Sequence, residues 1–266
     1  MSQTDSHMKI ATWNVNSIRA RESRLLRWLK REKPDAICLQ ELKVEGEGFP
    51  REAVHAAGYH AAVFGQKRLN GVAVLSRRRP LSVERGMGED DGDPQARLVG
   101  AEVAGVRILS AYFPSGRSVG SDEFAYKLQW MARLRDHLVA TASPDDALIL
   151  AGDFNVAPDD RDVANPDLWG GSVLCHDAAR EALARIREWG LVDLYRHCHP
   201  EGDAYTWWDY QRRAFERNDG LRIDHIFATR TLAERCISLR IDRDERTGTP
   251  GDRASDHAPV VATFRV

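Results

Sequence analysis

The chain has 266 residues and a formal net charge of −2, and 42% of its residues are hydrophobic and 29% charged. This hydrophobic fraction supports a sizeable core, and the composition excludes a disordered chain. The length fits one large sandwich or barrel, and the near-neutral charge lacks the basic signature of a nucleic-acid binder, although a carboxylate-lined site could mask a basic face. With no run of 18 apolar residues and no charged-then-apolar leader, the sequence predicts neither a membrane span nor a secretory signal.

The ends of the chain and its cysteines suggest a simple organisation. Residues 1–7 are polar, and we expect a disordered tail there before a single domain over residues 8–266. Cys38, Cys175, Cys198 and Cys236 form no C-x-x-C pair, which favours free thiols in a reducing cytoplasm.

Short apolar runs recur along the chain, and most of them end at a polar or acidic residue. Their length and apolar content are typical of buried strands. The predicted strands are residues 9–13, 36–39, 72–75, 98–103, 106–112, 147–151, 223–228 and 259–266. We expect those at 72–75, 98–103 and 106–112 to be antiparallel.

Three segments have the apolar spacing of helices, residues 22–32, 122–140 and 177–189. Pro34 follows the first, and Gly190 stops the third. Strands in groups with few helices between them predict an α/β fold with two packed sheets and helices outside. The polar segments 89–93 and 246–252 are expected to be exposed loops.

Acids, amides and one histidine stand where the apolar strands end. A carboxylate at the end of a buried strand is costly unless it is compensated, and a hard divalent cation such as Mg²⁺ compensates it. The strand-end pattern therefore predicts a metal site. The residues concerned are Asn14, Glu41, Asp153, Asn155, Asp224, Asp256 and His257.

Each of these residues has an alternative interpretation when it is taken alone. A single Asp after a strand is usually a turn or cap residue, and a lone His is more often structural. The set as a whole is harder to explain in that way. If Asp224 orients His257, the imidazole can hold a proton and stabilise a phosphoryl oxygen. The His197-Cys198-His199 run is not expected to bind metal, because neighbouring strand residues face opposite ways.

Short motifs in a fixed order cover nearly the whole chain from Met8. They include Trp-Asn-Val-Asn-Ser-Ile-Arg-Ala-Arg (13–21), Leu-Gln-Glu-Leu-Lys (39–43), Tyr-Phe-Pro-Ser-Gly (112–116), Gly-Asp-Phe-Asn-Val-Ala-Pro (152–158), Tyr-Thr-Trp-Trp-Asp-Tyr (205–210), Gly-Leu-Arg-Ile-Asp (220–224) and Ser-Asp-His-Ala-Pro-Val (255–260). In these motifs the chain resembles the exonuclease III family of AP endonucleases, within the endonuclease/exonuclease/phosphatase superfamily.

The resemblance implies a DNase I-like fold, a four-layer α/β sandwich of two packed mixed β-sheets flanked by helices. It also implies a Mg²⁺ or Mn²⁺ site. Glu41 would be the principal metal ligand, Asn14 would support the site, and Asp256 would lie close to the ion. Asn16 stands where some relatives have an acid, which bears on any second ion.

The same resemblance assigns chemical roles to five further residues. Asp153 would prepare the attacking water, and Asn155 would hold the phosphate. Tyr112 would donate to the phosphate or sense it. The Asp224–His257 pair would stabilise charge on the side of the phosphate opposite the metal, as an in-line attack requires.

Substrate contacts are expected on an apolar pocket and on basic residues. Trp207, Leu221 and Ile223 match the family's pocket for a sugar without its base, with core packing as the alternative for Trp207. Arg222, between the last two, is also expected to bind substrate. The candidate phosphate contacts are Arg19, Arg21, Lys43, Lys67, Arg97, Arg117 and Lys127. The segment 158–175 matches the family loosely.

The implied activity is a monomeric abasic-site endonuclease with 3′-to-5′ exonuclease and 3′-phosphatase or 3′-phosphodiesterase activity. Its substrate would be duplex DNA with abasic sites or blocked 3′ ends. Two alternatives stay open. One is a catalytically silent regulator that binds RNA or protein, which would be expected to lose the acids. The other is a superfamily phosphatase for lipids or inositol phosphates.

Overall fold

The computed structural model describes residues 7–88, 92–248 and 252–265. The α-helices in these residues are α1 (Ile18–Glu32), α2 (Arg51–Ala56), α3 (Asp122–Thr141), α4 (Pro166–Trp169), α5 (Asp177–Glu188), α6 (Leu194–Cys198) and α7 (Arg230–Ala233). The strands are β1 (His7–Asn14), β2 (Ala36–Gln40), β3 (His60–Phe64), β4 (Val72–Ser76), β5 (Val83–Arg85), β6 (Leu98–Val103), β7 (Val106–Tyr112), β8 (Leu148–Asp153), β9 (Leu191–Asp193), β10 (Asp224–Thr229), β11 (Cys236–Ile241) and β12 (Val260–Arg265).

The strands form two six-stranded mixed sheets. The first has the order β11-β12-β1-β2-β4-β3, and the second has the order β5-β6-β7-β8-β10-β9. Each sheet contains one parallel pair, β1 with β2 and β7 with β8. Parallel neighbours need a crossover connection, and α1 and α3 provide it. The carboxyl ends of all four parallel strands therefore carry the motifs that follow them in the sequence.

The main core lies between the two sheets. Ile10 and Cys38 of the first sheet share one apolar cluster with Ile108, Ile149 and Ile226 of the second. Alternate residues of the same strands face outward, because successive side chains of a strand point to opposite faces. The buried strands consequently read as continuous apolar runs.

Helices cover both outer faces. Trp28 and Leu29 of α1 pack with Trp13 on the first sheet, and Leu134 of α3 packs with Leu183 of α5 on the second. Burying these side chains contributes about 1.5–3 kcal/mol each. The layers are helix, sheet, sheet and helix, so the predicted four-layer fold is confirmed.

All eight predicted strands and all three predicted helices are present, with shifted ends. The first strand begins at His7, inside the segment expected to be a tail, and residues 1–6 lie outside the described part of the chain. Helix α1 begins four residues before its predicted start. The strands that the prediction missed are β3, β5, β9 and β11, which are the edge strands of the two sheets.

The two expected loops are only partly exposed. Residues 89–91 and 249–251 lie outside the described residues, but the Asp93 side chain is only 3% exposed and pairs with Arg133 at 2.6 Å. Arg246 is also buried, and its guanidinium donates to the Trp208 carbonyl. In the described residues no helix is both long and apolar enough to cross a membrane.

Candidate active site

Polar side chains from both sheets meet at one end of the sandwich. Asn14 ends β1, Glu41 follows β2, and Tyr112 and Asp153 end the parallel neighbours β7 and β8. Asp224 begins the antiparallel strand β10 directly opposite Asp153. The sheet pairing thus gathers residues that are up to 210 positions apart in the chain.

The side-chain amide of Asn14 bridges the two sheets. Its Nδ2 lies 2.8 Å from Glu41 Oε1 and 2.8 Å from Asp153 Oδ2, while its Oδ1 accepts from the Asn16 backbone N–H. The Tyr112 hydroxyl donates to the same Glu41 oxygen at 3.0 Å. Asn14 therefore supports the site by donating to the two carboxylates. In this arrangement its side-chain oxygen faces the Asn16 backbone, so Asn14 is not placed as a metal ligand.

Glu41 stands on a turn with unusual backbone geometry. Glu41 (φ 53°) and Lys43 (φ 57°) both adopt the left-handed conformation, which costs about 1–3 kcal/mol for a non-glycine residue and persists only where surroundings enforce it. The Lys43 ammonium lies 2.8 Å from Glu41 Oε2 and 2.5 Å from Asn16 Oδ1. Lys43 is therefore the cationic partner of Glu41 in this structure.

His257 lies between two carboxylates. Its Nδ1 is 2.9 Å from Asp224 Oδ2, and its Nε2 is 3.8 Å from Asp153 Oδ2. Burial alone would lower the pKa of His257, but the charges of Asp224 and Asp153 raise that pKa to about 10. The imidazole is therefore a buried imidazolium at neutral pH.

Asp153 is poised to exchange a proton near neutral pH. Burial raises its pKa to about 7, with further increases from Asp224 and Glu41 and an opposing effect from His257. A carboxylate with a pKa near the working pH is suited to general-base catalysis. Asn155 (φ 50°) donates its backbone N–H to Asp153 Oδ1 at 2.9 Å, which fixes the carboxylate on its turn.

Three side chains could hold a metal ion together. Ligand atoms of Glu41, Asp153 and His257 all lie within 4.8 Å of one another. Carboxylate oxygens are what Mg²⁺ and Mn²⁺ prefer, and Glu41 and Asp153 supply them, whereas His257 is already paired with Asp224. The residues present fit a hard divalent ion.

Asp256 has hydrogen-bond partners on both of its carboxylate oxygens. Its Oδ1 accepts from Asn16 Nδ2 at 2.9 Å, and its Oδ2 accepts from Trp207 Nε1 at 3.1 Å. Burial raises its pKa, but His257 and these two donors outweigh burial and lower it. Both oxygens are engaged, and Asp256 holds Trp207 in this structure; that Asp256 also lies close to a metal ion stays a prediction.

The three residues of the expected sugar pocket lie together beside His257. Leu221 and Ile223 are 0% and 2% exposed and belong to a small apolar cluster. Trp207 is half-buried, and its ring lies 6.5 Å from that of His257. Trp169, which the sequence interpretation missed, packs edge-on against Trp207 at 5.7 Å. It lies in the loosely matching segment 158–175, where no motif pointed to it.

Three of the basic residues expected to contact substrate have structural roles. Lys127 is 0% exposed, and its ammonium donates to the carbonyls of Ser115, Asn155 and Val173 at 3.3, 2.7 and 2.8 Å. Burial lowers its pKa to about 7. Arg222 is 1% exposed and pairs with Asp162 and Asp193. The side chains of Lys127 and Arg222 are both engaged inside the protein in this structure, and the substrate contacts predicted for them stay predictions.

Arg21 is the third basic residue with a structural role. Its guanidinium donates to the Asn16 carbonyl, to the Tyr210 hydroxyl and to the Ala254 carbonyl. Arg97 is mostly buried and lies over the Tyr112 ring at 5.0 Å. Arg117, with an 80% exposed side chain, pairs with Glu123 at the surface. The exposed set that remains available to a phosphate is Arg19, Lys67 and Arg117.

The comparisons with known proteins agree with this site. A model described as "Endonuclease/Exonuclease/phosphatase family" matches residues 11–257. The chain is 34% identical to "Exodeoxyribonuclease III" of Haemophilus influenzae, over 97% of this chain and 100% of that protein. It is 30% identical to "DNA repair nuclease APEX1" of Danio rerio, over 98% and 83%.

Two solved structures are also similar. An AP endonuclease from Archaeoglobus fulgidus has a TM-score of 0.93 and 42% identity, over 97% of this chain and 100% of that one. The 3′ phosphatase NExo from Neisseria, bound to a product DNA hairpin, has a TM-score of 0.92 and 39% identity with the same coverage. The family model and the full-length similarity show that this chain belongs to the endonuclease/exonuclease/phosphatase family, as a relative of exodeoxyribonuclease III.

Proposed function

We propose that this chain is a metal-dependent DNA repair phosphodiesterase that incises duplex DNA at abasic sites and processes its 3′ ends. The observation that carries the proposal is the position of His257, which is paired with Asp224 and lies beside Asp153 and Glu41. A phosphodiester placed there would meet a base, an acid and a cation site at once. The expectation of a hydrolase acting on DNA is confirmed by the exodeoxyribonuclease relatives.

In the proposed reaction Asp153 accepts a proton from a water that attacks the phosphorus, and the bond from phosphorus to the 3′ oxygen breaks. The His257 imidazolium donates a hydrogen bond to a non-bridging oxygen and offsets the charge that develops there. Asn155 would orient the phosphate as a donor, and the Tyr112 hydroxyl would do so after turning from Glu41 Oε1 to the phosphate. Mg²⁺ or Mn²⁺, held by Glu41 with Asp153 beside it, would supply positive charge for the phosphate and the leaving oxygen.

The substrate class follows from the walls of the site and from the named relatives. The AP endonuclease and 3′ phosphatase among the similar structures act at abasic sites and at 3′ ends, as their names state. Trp207 with Trp169 forms an aromatic wall beside His257, which suits a sugar without its base better than a full nucleotide. Exposed Arg117 and Lys67 are the proposed phosphate contacts.

We also propose that residues 8–266 act as one domain, monomeric and cytoplasmic. One apolar cluster combines both sheets, which supports a single domain. The four cysteines are free thiols, which fits a reducing compartment.

The test is a labelled duplex with one abasic-site analogue, incubated with Mg²⁺, with Mn²⁺ and with excess EDTA. Incision 5′ to the lesion is expected only with metal. The variant Asp153→Asn should abolish incision while it retains DNA binding. Its matched control is Asp145→Asn, an exposed residue at the opposite end of β8, which should cleave like the parent.

Two outcomes would point elsewhere. DNA or RNA binding without cleavage from a folded sample would favour the silent regulator. Release of phosphate from inositol phosphates, unaffected by competing abasic duplex, would favour a non-DNA phosphatase.

A further inference from the structure

Two half-buried cysteines lie in contact on the side of the molecule where β11 and β9 form the sheet edges. The Sγ atoms of Cys198 and Cys236 are 3.7 Å apart. The other two cysteines, Cys38 and Cys175, are fully buried in apolar clusters elsewhere. In the described residues, neither of these two cysteines is hydrogen-bonded to Glu41, Asp153, Asp224 or His257.

The local backbone allows the two sulfur atoms to approach. A disulfide has an S–S length of about 2.05 Å, so the gap must close by roughly 1.7 Å. Cys198 is the last residue of α6, and the next residue has left the helical conformation. Cys236 begins β11, where the pairing with β12 shifts register between Cys236 and Ser238. Neither cysteine therefore lies in the interior of a regular helix or strand.

The surroundings favour a dithiol over a metal site. A structural zinc site needs four ligands, and in the described residues no third ligand group is clustered with this pair. His199, the neighbouring histidine, has its Nε2 engaged with the Leu239 carbonyl at 2.7 Å. Two thiols in contact without further ligands have one simple reaction available, which is oxidation to a disulfide.

We propose that Cys198 and Cys236 form a site of reversible modification, which a peroxide converts to an intramolecular disulfide. The Cys198 thiolate attacks the peroxide, giving a sulfenic acid and, for hydrogen peroxide, hydroxide that a proton converts to water. The Cys236 sulfur then attacks the sulfenic sulfur, forming the S–S bond and releasing a second water. The two thiols lose two electrons, and the peroxide O–O bond takes them.

The order of the two steps follows from the environment of Cys236. Burial and the neighbouring Cys198 raise the pKa of the Cys236 thiol to about 12, so it is poor at the first attack, which needs a thiolate. Once Cys198 is a sulfenic acid, proximity compensates for that weakness, because the second step is intramolecular. Cys236 is accordingly the resolving residue.

The bond would connect the two sheets at an edge. Helix α6 follows the edge strand β9 of the second sheet, and β11 is the edge strand of the first. A link there closes a loop between residues 198 and 236 and restricts the unfolded chain. The expected result is a more stable sandwich with an unchanged catalytic cluster.

The experiment treats the full chain with increasing hydrogen peroxide and counts free thiols after denaturation. We expect two of the four cysteines to be lost together, a linked peptide pair containing residues 198 and 236, and return of both thiols with dithiothreitol. The midpoint of thermal unfolding should rise on oxidation and fall again on reduction.

Matched variants separate this proposal from general oxidation. Cys198→Ser should keep the thermal midpoint of the reduced parent and show neither the linked peptide nor the rise on peroxide treatment. Cys175→Ser should still form the link. Loss of thiols without the 198–236 peptide, or links between chains in place of it, would overturn the proposal.

Discussion

Two regions of the molecule bury charged side chains to a similar depth, yet their charges are matched differently. In the first, Arg222 lies between Asp162 and Asp193, with guanidinium–carboxylate distances of 2.7 and 2.8 Å, and Arg196 also pairs with Asp162. His225 accepts from Arg222 at 2.9 Å and donates to the Val156 carbonyl, which is the bonding of a neutral imidazole. Each charge in this network has an opposite partner.

The strand-end site is the contrasting region. Glu41, Asp153 and Asp224 approach one imidazolium and one ammonium, and the buried Asp224 Oδ1 has no hydrogen-bond partner. The pKa of Asp153 is raised, mainly by burial. Burial acts in the same direction on Asp193, but the charge of Arg222 opposes it and the pKa of Asp193 is lowered. The strand-end site has more buried carboxylates than cations, which is typical of a site that binds a cation and a substrate. The Arg222 network has matched charges, which is typical of a structural role.

The largest effect is expected from breaking the matched network. Arg222→Met leaves Asp162 and Asp193 buried without their partner and should lower the free energy of unfolding by about 3–5 kcal/mol. Urea denaturation measures this change. The control is Arg185→Met, which removes an exposed ion pair with Glu181 and should cost less than about 1 kcal/mol. Equal losses in the two variants would refute the structural role of Arg222.

Removing charge from the unmatched site should instead reduce catalysis. Asp224→Asn takes away the carboxylate that keeps His257 protonated, so kcat should fall by about 10²-fold or more. Stability should change less than in Arg222→Met, since a surplus acid is lost. Steady-state cleavage across pH is the measurement, and the high-pH limb of activity should move towards neutral. A parental pH profile would contradict the pairing.

The two regions should also respond to pH with opposite sign. His257, with its pKa raised to about 10, adds stability that is fully present below pH 6.5 and is lost as pH rises through 10. His225, which burial and Arg222 shift to a pKa of about 3, takes up its proton more readily when unfolded, so stability falls as pH drops from 6.5 towards 3.

Urea unfolding in EDTA at several pH values measures how the free energy of unfolding changes with pH. For one proton the slope is at most about 1.4 kcal/mol per pH unit. His257→Gln should remove the loss at high pH, and His225→Gln should remove the loss at low pH. If both variants kept both slopes, other groups would be responsible.

The smallest effect concerns the aromatic wall. Trp207→Phe keeps the ring beside Trp169 but removes the donor to Asp256, a hydrogen bond that contributes about 1 kcal/mol. We expect KM for abasic duplex to rise up to about fivefold with kcat nearly unchanged. Asp256→Asn should behave similarly. A changed metal requirement in Asp256→Asn would support the prediction that Asp256 lies at the metal site.

The regular parts of the fold were predictable from local pattern. Buried central strands and amphipathic helices carry continuous or periodic apolar signals, which is why β1, β2, β7 and β8 were identified. The edge strands were missed because they are short or half-exposed, so a partner strand, more than their own composition, holds them in place. The acids of the site could also be predicted, since each stands directly after an apolar run.

The roles of buried polar residues could not be predicted in this way. Lys127 and Arg222 look like surface cations in sequence, and only their burial against carbonyls and carboxylates shows otherwise. The hydrogen bonds from Asn16 and Trp207 to Asp256 could not be predicted from the sequence either. The sequence by itself determined the sandwich, the family and the list of acids, because these depend on local apolar patterns and short motifs. The tertiary structure alone decided which of the charges are matched, because matching depends on distances between residues remote in the chain.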